Sequence, residues 1–212
     1  MDAEAELRSA IADFGRSLFE RGYSAGSSGN ISARVDGGLL ITPTNSCLGR
    51  LDPGRISRVD ASGAHLAGDL PSKELPLHLA LYNTRPQAGA VVHLHAPHAT
   101  ALSCLATTDP ADAIPALTPY VVMRVGRVPL LPYVRPGSSA LGEMIRALGG
   151  RHAAVLLANH GPVVSAAGLA AAVYAAEELE ETARLAILLH GREVNLLNAQ
   201  QIAELAETFG SP

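Results

Sequence analysis

Val91-Val92-His93-Leu94-His95-Ala96-Pro97-His98 is the stretch from which the fold can be read. Apolar and β-branched residues interleave with two histidines, and Pro97 closes the run, the pattern of a short buried strand ahead of a turn. Side chains on a strand alternate faces, so His93 and His95 are expected on one side of a sheet, one pleat repeat apart. Two imidazoles held that way grip a divalent ion, and a third ligand from elsewhere completes an open site. His160 is the candidate third ligand, because Leu156-Leu157-Ala158-Asn159-His160-Gly161 also ends an apolar run. The competing reading is a pair of half-buried histidines whose ring nitrogens are satisfied by backbone carbonyls. His-x-His alone does not choose between the two.

Composition narrows the classes around that stretch. A chain of 212 residues suits one domain spanning 1–212, and nearly half of it is apolar, enough for a sizeable core. The net charge of −4 and the scattered basic residues argue against a nucleic-acid surface. Cys47 and Cys104 are too few and too distant for a zinc knuckle or disulfide framework, and are expected to be reduced thiols of a cytoplasmic protein. The charged stretch Met1 to Ile11 lacks the apolar segment of a signal peptide, and no run approaches the ~20 residues that span a bilayer. A soluble, cytoplasmic chain with no membrane partner is expected.

Outward from the histidines, the patterning gives an alternation of strands and helices. Leu7, Ile11, Phe14 and Leu18 recur at helical spacing from Ala3 to Arg21, with Gly22 as a stop. Gly26-Ser27-Ser28-Gly29-Asn30 is a small polar loop running into the strand-like Ile31 to Val35; its exposed N–H groups suit an anion, or it is an ordinary loop. Asp36-Gly37-Gly38 reads as a hairpin turn, Leu39 to Thr42 as its return strand, and Pro43-Thr44-Asn45-Ser46 as a second polar loop. Short strands are expected over Ile56 to Val59 and at His65-Leu66.

A helix is expected over Leu75 to Tyr82, with Ser72 as its N-cap and Glu74 in its first turn, where the macrodipole favours a carboxylate. Ala99 to Leu105 reads as helix, Tyr120 to Met123 and Leu130 to Val134 as strands, and Ser138 as the cap of a helix through Leu148. Ala153 to Ala158 is a further strand. Leu169 to His190 is the longest helix, and Glu177, Glu178, Glu180 and Glu181 are expected on its solvated or helix-pairing rim. Asn198 and Gln201 have capping-box spacing for a last helix to Phe209. The expected class is α/β: a central, largely antiparallel sheet with helices on both sides, not a doubly wound parallel one.

Five short motifs then stand in one order: Ser28-Gly29-Asn30, Thr42-Pro43-Thr44, Pro71-Ser72-Lys73-Glu74, His93-Leu94-His95 and Asn159-His160-Gly161. Together they resemble the class II aldolase/adducin family over nearly the whole chain. The resemblance implies a single α/β/α domain assembled as a homotetramer, with active sites between neighbouring subunits. It also implies that His93, His95 and His160 bind Zn²⁺, Mn²⁺, Co²⁺ or a similar divalent ion, and that Glu74 is the acid/base carboxylate. Gly29, Asn30, Thr44, Asn45 and Ser72 match the family's phosphate loops, and Tyr120 its tyrosine that reaches across an interface.

Two departures accompany the match. Lys73 stands where many family aldolases carry a second serine, and Phe209 is the only aromatic side chain after Tyr174, where the aldolase tail carries a tyrosine. Longer stretches, including Asn45-Ser46-Cys47-Leu48-Gly49-Arg50-Leu51 and Thr118 to Gly126, resemble the family branch that decarboxylates 3-oxo-tetronate 4-phosphates. That resemblance implies a phosphorylated sugar-acid substrate. Lys73 is then either a cation for its phosphate or carboxylate or a plain surface lysine at the start of the helix, and proton transfer by Glu74 requires a raised pKa. Fuculose- or rhamnulose-phosphate aldolase, epimerase or dehydratase chemistry, and a non-catalytic adducin-like module, are the alternatives. His65, His78, His152 and His190 show no partner pattern, and His98 is expected to decorate the following helix.

Overall fold

The computed structural model describes residues 3–212. Helix α1, Ala3–Glu20, ends where Gly22 turns the chain with a positive φ. An antiparallel meander follows: β1 (Asn30–Val35), β2 (Gly38–Ile41), β3 (Ser57–Asp60) and β4 (His65–Ala67). Next come α2 (Leu75–Thr84), β5 (Ala90–His93), α3 (Pro97–Cys104), α4 (Pro119–Arg124), β6 (Leu130–Leu131) and α5 (Ser139–Ala147). The chain finishes with β7 (Ala154–Leu157), β8 (Gly161–Ala166), α6 (Leu169–Leu188) and α7 (Ala199–Phe209). The strands form one eight-stranded sheet in the order β4-β3-β2-β1-β5-β8-β7-β6, antiparallel except between β6 and β7. This is the expected α/β class.

Alternation along the central strands divides two cores. Val92, Leu156 and Val164 face a cluster with α1, α3 and α6, including Ile11, Leu102 and Leu179. Val91, Val155 and Val163 face the opposite way, onto α2 and α5, with Leu81, Leu141 and Ile145. A strand buried on both faces reads as a nearly continuous apolar run, which is why the histidine stretch shows so little polarity. His93 lies on the second face, under α2.

Several sequence expectations are corrected. Tyr120 to Met123 is helical, not extended: the Thr118 hydroxyl accepts from the Val121 N–H and Pro119 occupies the first helical position. That local start outweighs the β-branched pair Val121-Val122. The strand expected from Leu130 to Val134 lasts only two residues, since Pro132 cannot donate to a ladder. Strand β8 had no sequence signal, because Pro162 and Ser165 interrupt its apolar pattern. The N-cap of α2 is Glu74, not Ser72, and the Ser72 hydroxyl instead accepts from the Glu74 N–H. Of the two readings of the α6 glutamates, Glu180 takes the helix-pairing one: it is buried and bonded to the start of α3.

Candidate metal centre

Three loops converge at one end of the central strands. His93 closes β5, and His95 lies two residues on, past the end of the strand. His160 sits in the tight turn between β7 and β8, where Asn159 adopts a positive φ of 56° that asparagine tolerates better than most residues. The next residue must be small: a Cβ on Gly161 would come within 2.2 Å of the Leu94 carbonyl oxygen. The β1 side is also held close, if less tightly, since a Cβ on Gly29 would lie 3.0 Å from the His93 carbonyl oxygen.

The result is a compact triad. The His93 and His160 Nε2 atoms are 3.3 Å apart, and one nitrogen from each of His93, His95 and His160 lies within 4.8 Å of the others. A tetrahedral ion with nitrogen ligands at about 2.05 Å keeps those ligands about 3.4 Å apart, so the spacing suits a small divalent cation. His93 Nδ1 donates to the Pro162 carbonyl at 2.9 Å, which fixes the tautomer and turns the lone pair of Nε2 inward. One half of the backbone-satisfied reading is therefore true of His93, and it leaves the other nitrogen free.

Electrostatics agree with that use. Burial holds His93 and His95 below the ordinary imidazole range, and burial with the nearby His93 pushes His160 down to about 4. Neutral rings are the form that ligates a metal. Glu74 faces the triad, its Oε2 3.4 Å from His93 Nε2 and its Oε1 3.5 Å from His160 Nε2. Oε2 accepts from the Asn30 amide at 2.8 Å, whereas Oε1 is buried without a hydrogen-bond partner among the described residues. An unpartnered buried carboxylate oxygen beside three neutral imidazoles is the donor set that a cation satisfies. Burial pushes the Glu74 pKa up, but His93, the Asn30 hydrogen bond, His160 and His78 together bring it below the ordinary value, correcting the expected rise.

A polar cavity of about 150 Å³ opens beside the triad. Of the sequence-expected residues, Gly29, Asn30, Thr44, Asn45, Ser72, Lys73, Glu74, His95 and His160 all line it, and His93 lies buried behind. Among the described residues, Lys73 is the one Lys or Arg side chain on its wall. Tyr120 is not there. It is half exposed on α4, with the Arg124 guanidinium 5.8 Å from its ring centre, in a separate surface hollow with Tyr174 and Glu178. His78, which shows no partner pattern in the sequence, bonds to Asn30 and Ser32, and His98, at the start of α3, bonds through Nδ1 to Glu180 at 2.8 Å.

Comparison with known proteins places the chain. Residues 9–187 match the family model described as the class II aldolase and adducin N-terminal domain. A 3-oxo-tetronate 4-phosphate decarboxylase from Pectobacterium atrosepticum is 51% identical over 97% of this chain and 95% of its own. An L-fuculose phosphate aldolase from Haemophilus influenzae is 36% identical over 97% and 94%. The crystal structure of YgbL from Escherichia coli, described as an aldolase/epimerase/decarboxylase, superposes with a TM-score of 0.94 at 50% identity, over 96% of this chain and 99% of its own.

Proposed function

The chain belongs to the class II aldolase and adducin family and is a lyase; on that premise we propose that it decarboxylates 3-oxo-tetronate 4-phosphate to dihydroxyacetone phosphate and carbon dioxide. The observation that carries this reading is the identity gap over equal lengths: 51% to a decarboxylase against 36% to an aldolase. The family is divalent-metal-dependent, and His93, His95 and His160 would hold the ion, with Zn²⁺ the first choice and Mn²⁺ or Co²⁺ the others. When bound, that ion supplies Lewis acidity toward the substrate's ketone and neighbouring hydroxyl oxygens.

The chain's own residues do the rest. The substrate is a β-keto acid, so breaking its C1–C2 bond releases carbon dioxide and leaves an electron pair on C2 conjugated with the C3 ketone. One proton then completes the product. Glu74, ionised at rest, takes a proton from solvent onto Oε1, the oxygen left free toward the triad, and passes it to C2, while Oε2 stays fixed by Asn30. The loops of Gly29, Thr44, Asn45 and Ser72 hold the phosphate with N–H and hydroxyl groups. The Asn30 side chain is committed to Glu74 and His78, so only its backbone is available to the phosphate. Lys73 supplies the cation that a substrate with both phosphate and carboxylate requires.

The whole of 1–212 forms one domain, and the protein works in the cytoplasm as a homotetramer in which Tyr120 reaches the triad of a neighbouring subunit. Tyr120, exposed beside Arg124 and away from its own triad, supports that placement. No helix among the described residues is long and apolar enough to cross a membrane.

The test is an assay of metal-loaded protein on 3-oxo-tetronate 4-phosphate, following carbon dioxide and dihydroxyacetone phosphate, with fuculose 1-phosphate in parallel. Carbon dioxide release that chelation abolishes is expected. Cleavage of the ketose phosphate to an aldehyde, with no carbon dioxide, would overturn the reading in favour of an aldolase.

A further inference from the structure

Behind Glu74 runs a line of buried polar groups that the reaction as described does not use. Glu74, His78 and Tyr82 stand four residues apart along one face of α2, and Asn30, Ser32 and Arg34 stand two apart along one face of β1. Four helical residues advance about 6 Å and two strand residues about 6.7 Å, so the two rows keep step. They bond rung by rung. The Asn30 amide donates to Glu74 Oε2 at 2.8 Å, and its carbonyl oxygen meets His78 Nε2. His78 Nδ1 meets the Ser32 hydroxyl at 2.6 Å, and that hydroxyl meets the Tyr82 hydroxyl at 2.9 Å. The Arg34 guanidinium covers the Tyr82 ring at 4.7 Å. Asn30, Ser32, Glu74, His78 and Tyr82 are all buried.

The directions of these bonds are forced. An ionised Oε2 can only accept, so Asn30 presents its N–H₂ to Glu74 and its carbonyl to His78. That carbonyl requires a proton on His78 Nε2. The ring is wholly buried and neutral, with burial holding its pKa down to about 3, so Nδ1 is left as an acceptor for the Ser32 hydroxyl. Ser32 in turn accepts from Tyr82. Reversing any one bond would set two acceptors or two donors face to face.

We propose that His78 is a positioning residue for Glu74: its Nε2–H pins the Asn30 carbonyl, so the Asn30 amide can only donate to Oε2 and Oε1 alone remains for the substrate. Ser32 and Tyr82 hold the ring in that tautomer. The proposal rests on the acid/base assignment of Glu74 made above. Without His78 the Asn30 carbonyl loses its donor, and the amide is free to swing away from Oε2.

The experiment combines spectroscopy of the holoenzyme with two variants. Nitrogen-15 NMR of the histidine rings in metal-loaded wild-type protein is expected to show His78 as the neutral Nε2–H tautomer, unchanged between pH 8 and pH 5. His78→Leu is expected to lower kcat by roughly 10- to 100-fold with KM within about twofold and metal content unchanged. His78→Gln, whose amide can donate to Asn30 and accept from Ser32, is expected to recover most of that loss. An Nδ1–H or charged ring overturns the proposal, as does a Leu variant with wild-type kcat, or a Gln variant that falls as far as Leu. Should the wild-type protein release no carbon dioxide, the decarboxylase reading fails, and the NMR result alone decides the place of His78.

Discussion

Glu180, in the middle of α6, caps the distant helix α3, which begins at Pro97: its Oε1 accepts from the His98 N–H at 2.9 Å and its Oε2 from the Ala99 N–H at 2.8 Å. Those N–H groups belong to the first turn of α3, which starts just after His95. A buried carboxylate thus does the work of an N-cap from another element. Glu180→Ala is expected to cost about 2 kcal/mol, since it strands one buried and one half-buried donor. Glu180→Gln, which keeps one acceptor, should cost less. Urea unfolding of the variants checks both.

Glu74→Gln keeps the side chain's size and its neighbour Asn30 but cannot carry a proton. Decarboxylation is expected to fall by roughly 10²- to 10⁴-fold, while metal content, measured by elemental analysis, stays at the wild-type level. Normal turnover in this variant would remove Glu74 from the acid/base role.

Lys73→Ser replaces the cation with a small hydroxyl. With the one Lys or Arg side chain on the cavity wall gone, KM for 3-oxo-tetronate 4-phosphate is expected to rise about tenfold, near 1.4 kcal/mol of binding. Fuculose 1-phosphate, which has no carboxylate, should lose less affinity. Steady-state kinetics on both substrates separate the two responses.

Tyr120→Ala and Glu74→Gln lie on different surfaces of one chain. If a site is completed by a neighbour's Tyr120, mixing the two inactive variants under conditions that exchange subunits creates some sites carrying both intact residues. Recovery of a fraction of wild-type activity is expected on mixing. No recovery despite demonstrated exchange would place Tyr120 outside the neighbouring site.

Stability should fall in mild acid. His78 is held neutral in the folded chain, its pKa lowered from an ordinary 6.5 to about 3, with His93, His95 and His160 lowered in the same sense. Below pH 6.5 the unfolded chain takes up protons that the folded chain refuses, so stability is full above 6.5 and is lost as the pH drops toward 3. His78 contributes a slope of about 1.4 kcal/mol per pH unit across that window, His160 the same down to about 4, and His93 and His95 add in the same direction. The urea midpoint is expected to be lower at pH 5 than at pH 7.5, with a smaller drop in His78→Gln.

Much of the site was legible because its residues sit in short motifs at the ends of patterned runs. His93, His95, His160 and the small polar loops could all be found that way, and the cavity gathers them. Tertiary partners were not legible. His78 and Glu180 look like ordinary helix residues until β1 and α3 are packed against them, 48 and 82 residues away in sequence. Yet one signal was present: Glu74, His78 and Tyr82 at four-residue spacing beside Asn30-Ile31-Ser32 describes two polar rows with nearly equal repeats. The misread of Tyr120 to Met123 has a different cause. Two adjacent valines outweighed a Thr-Pro start that favours helix.

The pairing of Asn30 opposite His93, in the register of β1 against β5, reaches beyond the site itself. The β1–β4 meander joins sequence neighbours and can close early, whereas β5 must be inserted between β1 and β8 across long intervening segments. A one-residue slip there would turn His93 away from Glu74 and every core side chain with it. Ion uptake during refolding is therefore a clock for the slow step: it should lag behind helix formation and rise together with the last phase of sheet assembly.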